Sequence, residues 1–365
     1  MVMAKFSYII NTLAINAPKK RLFNAIGLMS GTSMDGIDVA ALQTDGRIIV
    51  NAGAFASYPY APAFRKKLKA ALGKRKAPAL EKELTLLHAH AVKQFLKKYK
   101  LQASDFDVIG FHGHTLHHEP AKKITVQIGD GKLLHKLTGI PVVYDFRNAD
   151  VKAGGQGAPL VPVYHQAIAT KLKKPVVFLN IGGVANITYV DTGDVLLACD
   201  TGPGNALIDD WVYRHKKGAF DNGGKIAASG NVDAAWVKQF LKHSYFKKKL
   251  PKSLDRNAFH LFVPSHLNLA DGAATLTQMT VDTIAQSFKQ CPKNPQQIIV
   301  CGGGRKNSEM LKRLQKATGV KSAIIEKLKL NGDAIEAQAF AYLAVREVLG
   351  LPISFKGTTG RKNFS

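Results

Sequence analysis

The sequence predicts an α/β protein built from two related domains. Strand-like and helix-like segments alternate along the chain, a pattern typical of helices packed on a mixed sheet. Each half also opens in the same way, with a strand, a glycine-containing turn and a second strand. The length of 365 residues suits two domains of ordinary size. We therefore expect a first domain at residues 25–150 and a second at residues 151–350.

The first half is interpreted from its turn and periodicity signals. Residues 1–24 lack a convincing signal peptide and are expected to form an N-terminal extension. Residues 25–53 predict three strands joined by Asp-Gly turns. Helices are expected near residues 61–75 and 79–99, where apolar residues recur at helical spacing. Three further strand segments follow at residues 107–114, 123–131 and 141–147.

A glycine-rich segment at residues 152–162 is the predicted boundary between the domains. Beyond it, residues 175–205 repeat the opening pattern of strand, glycine turn and strand. We expect long helices near residues 204–217 and 271–290, a buried strand ending in three glycines, and a helix at 332–350. The tail at residues 351–365 is expected to return to the first domain.

The net charge of +25 is the unusual feature of the composition. Such a charge attracts nucleic acid, anionic lipid or phosphorylated ligands. However, 40 lysines outnumber 11 arginines, and recognition of bases and phosphates favours the arginine fork. The lysines also occur in short runs on predicted helices. We therefore favour a solvated lysine-rich surface, and no nucleic-acid partner is expected.

Cysteine content and hydropathy indicate the compartment. Cys199, Cys291 and Cys301 are too scattered for a disulfide framework or a CxxC metal site. This fits a reducing compartment, and we expect a cytoplasmic protein. No stretch approaches 18 uninterrupted apolar residues, so no membrane partner is expected.

Residues 27–38 form the first candidate binding site, a strand followed by a run of small residues and a second strand. Small residues allow backbone N–H groups to approach a phosphate. Asp35 or Asp38 can hold magnesium through a water molecule, because this ion retains much of its hydration. A plain hairpin is the structural alternative. The candidate nucleotide-binding residues are Gly31, Thr32, Ser33, Met34, Asp35, Gly36, Ile37 and Asp38.

Asp200 is the candidate catalytic residue. It ends a predicted strand just before a Gly-Pro-Gly turn, where a carboxylate can accept a proton from water or a sugar hydroxyl. A helix cap or turn is its alternative role. Glycine turns at two other strand ends would let a flat ligand such as a purine lie on the backbone. These add the candidate nucleotide contacts Gly182, Gly183, Gly302, Gly303, Gly304 and Asn307.

Four histidines, at positions 112, 114, 117 and 118, follow another strand. No third-ligand pattern connects them, so a direct metal site is not expected. Contacts with a polar substrate are the better interpretation. No Gly-x-Ser-x-Gly motif occurs, and no cysteine has a catalytic context.

Taken together, the motifs resemble those of the 1,6-anhydro-N-acetylmuramic acid kinases. They are GLMSGTSMDGID, HGHTLHHEP, DFRNADVKAGGQGAPLVP, NIGGVANIT, DTGPGNALIDDW, CGGGRKN and GDAIEAQAFAYLA, in this order over about residues 25–362. The family belongs to the superfamily of sugar kinases, heat-shock-70 chaperones and actin. The resemblance implies two actin-like (ribonuclease H-like) α/β domains with ATP bound in the cleft between them.

The resemblance also implies the reaction and the roles of the residues. ATP, water and 1,6-anhydro-N-acetylmuramic acid would give N-acetylmuramic acid 6-phosphate and ADP during recycling of cell-wall fragments. The Gly31–Asp38 segment would bind the ATP phosphates, with Mg²⁺ carried by ATP, and Asp200 would be the general base. A homodimer is expected. Substrate contacts are assigned to His114, Thr115, Arg147 and Lys252.

The sequence departs from the family pattern at two places, and it leaves three alternative functions open. His114 stands where many members have Gln, and Leu254-Asp255 stands where many have Thr-Gly. The alternatives are a conventional sugar or amino-sugar kinase, a non-enzymatic ATP-driven clamp and a basic nucleic-acid-binding protein. The density of sugar-kinase motifs favours a kinase.

Overall fold

The computed structural model describes residues 21–31, 33–255 and 258–361. Predictions for residues 1–20, Thr32 and residues 362–365 therefore lie outside the described residues. The chain divides into two compact units. The first unit contains the described residues up to Thr170 and those from Ala334 onward, and the second unit is Lys171–Asp333.

The strands are numbered in chain order across both units. They are β1 Phe23–Met29, β2 Gly36–Thr44, β3 Val50–Pro59, β4 Val108–Phe111, β5 His114–Glu119, β6 Ile124–Ile128, β7 Val142–Tyr144, β8 Val176–Ile181, β9 Val184–Val190, β10 Leu196–Pro203, β11 Gln297–Cys301 and β12 Ser322–Ile324.

The α-helices are numbered in the same way. They are α1 Pro62–Ala71, α2 Pro78–Tyr99, α3 Gly131–Thr138, α4 Phe146–Lys152, α5 Pro162–Ile168, α6 Ala206–Arg214, α7 Lys225–Ala228, α8 Ala234–Phe240, α9 Leu269–Phe288, α10 Ser308–Thr318, α11 Ile335–Val348 and α12 Lys356–Thr359.

Each unit contains a five-stranded sheet with the same topology. The order is β3-β2-β1-β4-β7 in the first unit and β10-β9-β8-β11-β12 in the second. In each sheet, three consecutive strands pair antiparallel and the last two join in parallel. This confirms the predicted α/β class with two related halves. Strands β5 and β6 form a separate antiparallel pair in the first unit.

Each unit also has its own apolar core. In the first unit, the helical stripe predicted on α2 contributes Leu84, Ala91 and Phe95, which are buried against the sheet. In the second unit, α9 buries Met279 and Ile284 among the strand residues. Spacing of apolar residues at helical period therefore identified the buried face of α2 correctly.

Helix α11 packs directly on the first sheet, which the predicted domain limits did not anticipate. A Cβ on Gly27 would lie 1.7 Å from the Ala337 carbonyl oxygen, and one on Gly110 would lie 2.0 Å from that of Phe340. The two glycines therefore allow the helix backbone to approach β1 and β4. As a result α11, together with residues 151–170, belongs to the first unit rather than to the predicted second domain.

Some element limits also differ from the prediction. The strand expected at residues 141–147 ends at Tyr144, because Asp145 has a positive φ of 62° and is the N-cap residue of α4. The first predicted helix ends at Ala71, and a turn with Gly73 at φ 79° follows. Within the described residues, no helix is both long and apolar enough to cross a bilayer.

Candidate active site

The loop between β1 and β2 has an open glycine at its start. The backbone N–H of Met34 donates to the Gly31 carbonyl at 3.0 Å, which closes a turn. A Cβ on Gly31 would have no neighbour closer than the Ser33 Oγ at 3.8 Å. The fold itself therefore has room for a side chain at position 31. A small residue here leaves space beside the loop for a ligand.

Two neighbouring residues predicted to bind nucleotide also have structural roles in the first unit. A Cβ on Gly36 would lie 2.3 Å from the Tyr58 carbonyl oxygen, so Gly36 is required for the pairing of β2 with β3. The Ile37 side chain is buried in the core of the first unit. The side chain of Asp35, in contrast, is largely exposed and pairs with Arg65 at 3.4 Å.

Strand β2 places Asp38 opposite Met29, at the end of the loop. Enclosure by protein, and then the charge of Asp38, raise the pKa of Glu336 on α11, whereas Arg147 lowers it. The Glu336 side chain still reaches solvent. Asp38, Arg147 and Glu336 thus form one charged cluster in the first unit.

His114 occupies a different environment from the predicted sugar contact. Its side chain has no exposed surface, and its Nδ1 lies 3.2 Å from the Ser30 Oγ. The Tyr60 hydroxyl donates to the same Ser30 oxygen at 2.9 Å. Burial lowers the pKa of His114 to about 4. The structure therefore corrects this prediction, because His114 supports the residue before Gly31 and is enclosed by protein.

Thr115 and Arg147 lie at the two ends of one polar network. The Gln127 Nε2 is 3.4 Å from the Thr115 Oγ1 and 3.2 Å from the His112 Nε2. The Arg147 Nη2 lies 3.0 Å from the same His112 nitrogen. Burial, and then the charge of Arg147, hold the pKa of His112 well below its usual value. The imidazole is therefore neutral and can accept a hydrogen bond from the guanidinium.

Asp200 lies in the second unit, at an irregularity of β10. The register with β9 shifts between Asp200 and Gly202, and such bulges redirect a side chain. The carboxylate Oδ2 accepts a hydrogen bond from the Leu254 N–H at 2.7 Å. The Tyr245 hydroxyl donates to the Asp200 carbonyl at 2.8 Å. Asp200 is thus held within a strand, and it does not cap α6, whose N-cap is Asn205.

Lys252 is remote from Asp200 in sequence, but the two residues are in contact in the structure. The Asp200 N–H donates to the Lys252 carbonyl at 2.9 Å. The Lys252 ammonium is 4.8 Å from the centre of the Tyr245 ring, and desolvation lowers its pKa. The departure from the family pattern at Leu254 leaves this geometry intact, because position 254 contributes its backbone N–H.

The glycine turns of the second unit meet at one place. The Asn205 N–H donates to the Gly182 carbonyl at 2.7 Å, and the Gly204 N–H donates to that of Gly183 at 2.9 Å. A Cβ on Gly302 would lie 2.4 Å from the Asn180 Oδ1, whereas one on Gly303 would have no neighbour within 3.7 Å. The turns after β8, β10 and β11 therefore pack together.

Within this group, Gly304 and Asn307 have structural roles. A Cβ on Gly304 would lie 2.5 Å from the Ile181 side chain. The Asn307 Oδ1 accepts from the Met310 N–H at 2.9 Å and so caps α10. A Cβ on Gly182 would have no neighbour closer than 3.6 Å, so Gly182 and Gly303 both have room beside them for a ligand.

Three residues near the site were not predicted from the sequence: Glu336, Ser30 and Tyr60. Glu336 is an acidic residue in helix α11, and its neighbours Ile335 and Ala337 are buried. An acidic side chain between two buried apolar residues was the available signal. Tyr60 and Ser30 meet only through the fold, and their separation in sequence gives no such signal.

The repeated sheet and its glycine turns define the fold class as actin-like α/β, with two related units. The chain is similar in fold to component A of (R)-2-hydroxyglutaryl-CoA dehydratase from Acidaminococcus fermentans, with a TM-score of 0.50 and 10% sequence identity. That alignment covers 89% of this chain and 99% of the other.

The particular family follows from sequence. The family model for anhydro-N-acetylmuramic acid kinase matches residues 23–365. The kinases of that name from Bradyrhizobium diazoefficiens and Brucella canis are each 48% identical to this chain, covering 93% of it and 96% of their own length. The chain therefore belongs to the anhydro-N-acetylmuramic acid kinase family, and it is a phosphotransferase with an alcohol group as acceptor.

Proposed function

We propose that the chain uses ATP and water to convert 1,6-anhydro-N-acetylmuramic acid into N-acetylmuramic acid 6-phosphate and ADP, in the recycling of cell-wall fragments. The observation that carries the proposal is the placement of Asp200. Its carboxylate is oriented by the Leu254 N–H at 2.7 Å, at a strand irregularity and not at a helix cap. A fixed carboxylate of this kind can act as a general base.

In the proposed reaction, Asp200 takes a proton from a water molecule as the water oxygen bonds to C1 of the sugar. The bond between C1 and O6 breaks, and O6 then attacks the γ-phosphorus while ADP leaves. The proton thus passes to Asp200, the water oxygen to C1 and the phosphoryl group to O6. Positioning and charge stabilisation suffice for the phosphoryl transfer.

The remaining residues bind and orient the substrates in this proposal. The open backbone at Gly31 contacts the ATP phosphates, and the open Gly303 contacts the adenosine. Thr115 and Arg147, joined through Gln127 and His112, bind the sugar. Lys252, whose carbonyl accepts from the Asp200 N–H, is a further contact of the substrate in this proposal.

The donor groups present fit magnesium brought in by ATP. No set of three or more His, Cys, Asp or Glu side chains is arranged to hold a metal ion in the described part of the chain. Asp35 and Asp38 lie at the loop and can hold the ion through water. Magnesium would supply neutralisation of phosphate charge.

The reaction in oxygen-18 water tests the proposal. We expect a 6-phosphate product with one heavy oxygen on C1 and none in the phosphoryl group. The product incubated alone in the same water controls for later exchange at C1. Phosphorylation of free N-acetylmuramic acid or another open sugar, with none of the anhydro sugar, would instead support a conventional sugar kinase.

A further inference from the structure

Asp150 links two segments of the first unit that are remote in sequence. It lies in α4, and its side chain is 1% exposed. One carboxylate oxygen accepts from the Gly157 N–H at 2.6 Å, and the other accepts from the Thr359 hydroxyl at 2.7 Å. A single buried carboxylate therefore joins the glycine-rich loop at residues 153–157 to the C-terminal helix α12.

A third hydrogen bond reinforces this connection. The Gln156 N–H donates to the Thr359 carbonyl at 2.7 Å, and Thr359 has no exposed surface. The loop is also shaped around the carboxylate, because a Cβ on Gly155 would lie 2.3 Å from the Asp150 Oδ2. The loop, Asp150 and Thr359 thus form one hydrogen-bonded, closely packed group.

This group contacts the proposed sugar-binding arginine. A Cβ on Gly157 would lie 3.5 Å from the Arg147 Cβ and 3.3 Å from the His118 Cε1. Arg147 also lies one helical turn before Asp150 on α4. Two side chains of the short helix α4 therefore have fixed partners. Arg147 contacts His112, and Asp150 accepts a hydrogen bond from Thr359.

We propose that Asp150 and Thr359 are positioning residues for Arg147, so that the C-terminal segment sets the geometry of sugar binding. The Arg147 guanidinium can reach its position only if α4 keeps its orientation. The hydrogen bonds from Gly157 and Thr359 to Asp150 fix that orientation. This inference rests on the proposed function, because it takes Arg147 as a contact of the sugar.

Two adjacent threonines offer a matched test. Thr359→Val removes the hydroxyl bonded to Asp150, whereas Thr358→Val removes an equally buried hydroxyl that bonds only to the backbone of Phe355. We expect Thr359→Val to lower kcat/KM for the anhydro sugar about 10–100-fold, a range set by sub-ångström misplacement. The KM for ATP should stay within about twofold, since ATP does not bind Arg147 in this proposal.

Thr358→Val and the conservative Thr359→Ser should both keep kcat/KM for the sugar near the wild-type value. Asp150→Asn combined with Thr359→Val should cost little more than Asp150→Asn alone, because the Thr359 hydroxyl acts through the Asp150 carboxylate. Equal losses in Thr358→Val and Thr359→Val would show a merely structural role and overturn the proposal. An unchanged Thr359→Val enzyme would overturn it as well.

A second readout separates this inference from the proposed function. Absence of wild-type activity on the anhydro sugar would contradict the proposed function alone. Hydrogen exchange still tests the connection in that case. The amides of Gln156 and Gly157 should exchange at least about tenfold faster in Thr359→Val than in Thr358→Val, since local opening controls exchange. Equal exchange rates in the two variants would contradict the inference.

Discussion

At the scale of the single residue, substitution of Asp200 distinguishes a catalytic role from a structural one. In Asp200→Asn, the side chain keeps its size and an oxygen that can accept from the Leu254 N–H. The basic carboxylate is lost, and we expect kcat to fall about 10²–10⁴-fold. Both KM values should change little, because the loss is felt mainly in the transition state. Steady-state kinetics on the anhydro sugar measure these parameters.

Asp194→Asn is the control for this substitution. Asp194 is exposed in the turn between β9 and β10 at φ 60°, a conformation that Asn tolerates. Its kcat should match that of the wild type. An Asp200→Asn enzyme with more than about a tenth of wild-type kcat lies outside the range of general-base effects and would remove Asp200 from the mechanism.

Gly31 tests the proposed phosphate contact. Gly31→Val should weaken ATP binding at least about tenfold, because the side chain occupies space that a ligand requires. Its thermal stability should stay near the wild-type value, since the nearest atom to a Cβ is 3.8 Å away. Gly36→Val is the opposite case and should be destabilised by contact with Tyr58. Unchanged ATP affinity in a folded Gly31→Val protein would contradict the assignment, and titration calorimetry with ATP measures it.

Residue roles were predicted only in part, and the reason is burial. Small residues in a loop identified Gly31 as a candidate, but the same pattern included Gly36 and Ile37, which serve the sheet and core. His114 follows a strand and looks available for a ligand, yet the fold encloses it. Residue type and spacing indicate what a side chain can do, whereas its exposure depends on distant segments.

At the scale of the elements, Arg305 stabilises the glycine turn after β11. Its guanidinium donates to the Glu326 carboxylate at 2.7 Å and to the Gly302 carbonyl at 2.9 Å, and its Nη2 lies 2.9 Å from the Asp333 Oδ1. Arg305→Ala should lower the free energy of unfolding of the second unit by about 2–3 kcal/mol, as expected for hydrogen bonds to charged groups. Urea unfolding followed by a probe in this unit measures the loss.

Lys306→Ala provides the comparison for Arg305. Lys306 is exposed and pairs with Asp333 at 3.2 Å, and exposed ion pairs contribute about 0–1 kcal/mol. Similar losses of unfolding free energy in the two variants would show that the buried contacts of Arg305 contribute no more to stability than an exposed ion pair. Clear separation would support Arg305 as the residue that holds the turn.

Element limits show where local signals were sufficient. Hairpins were predicted from Asp-Gly turns, because such turns act within a few residues. The glycine-rich segment at 152–162 was interpreted as a domain boundary, but Asp150 and Thr359 fasten its central residues. Glycine content indicates conformational freedom in the unfolded chain, and a contact from a remote segment can still fix the loop.

At the scale of the whole molecule, the assignment of α11 to the first unit depends on contacts between remote segments. Gly27 and Gly110 stand inside strands β1 and β4, where glycine marks a close backbone approach. Those glycines were a usable signal, but nothing local indicated which element approaches them. The two related sheets were predictable because each repeats a local pattern, and the position of α11 was not.

Buried histidines make the stability of the first unit dependent on pH. Burial lowers the pKa values of His88 and His114 from 6.5 to about 4, and neither side chain has exposed surface. Between these values the unfolded chain binds more protons than the folded one, so stability falls as pH decreases through this window. A complete shift of this size is worth about 3 kcal/mol for each ring.

His114→Gln tests this pH dependence directly. Glutamine does not titrate, so the variant should lose about 2 kcal/mol less stability than the wild type between about pH 7.5 and about pH 5. His90→Gln, an exposed site on α2, should lose as much as the wild type. Urea unfolding of the three proteins at both pH values gives the differences. Equal losses of stability in His114→Gln and His90→Gln would mean that His114 binds protons equally in the folded and unfolded states. Its burial would then not cause the acid sensitivity.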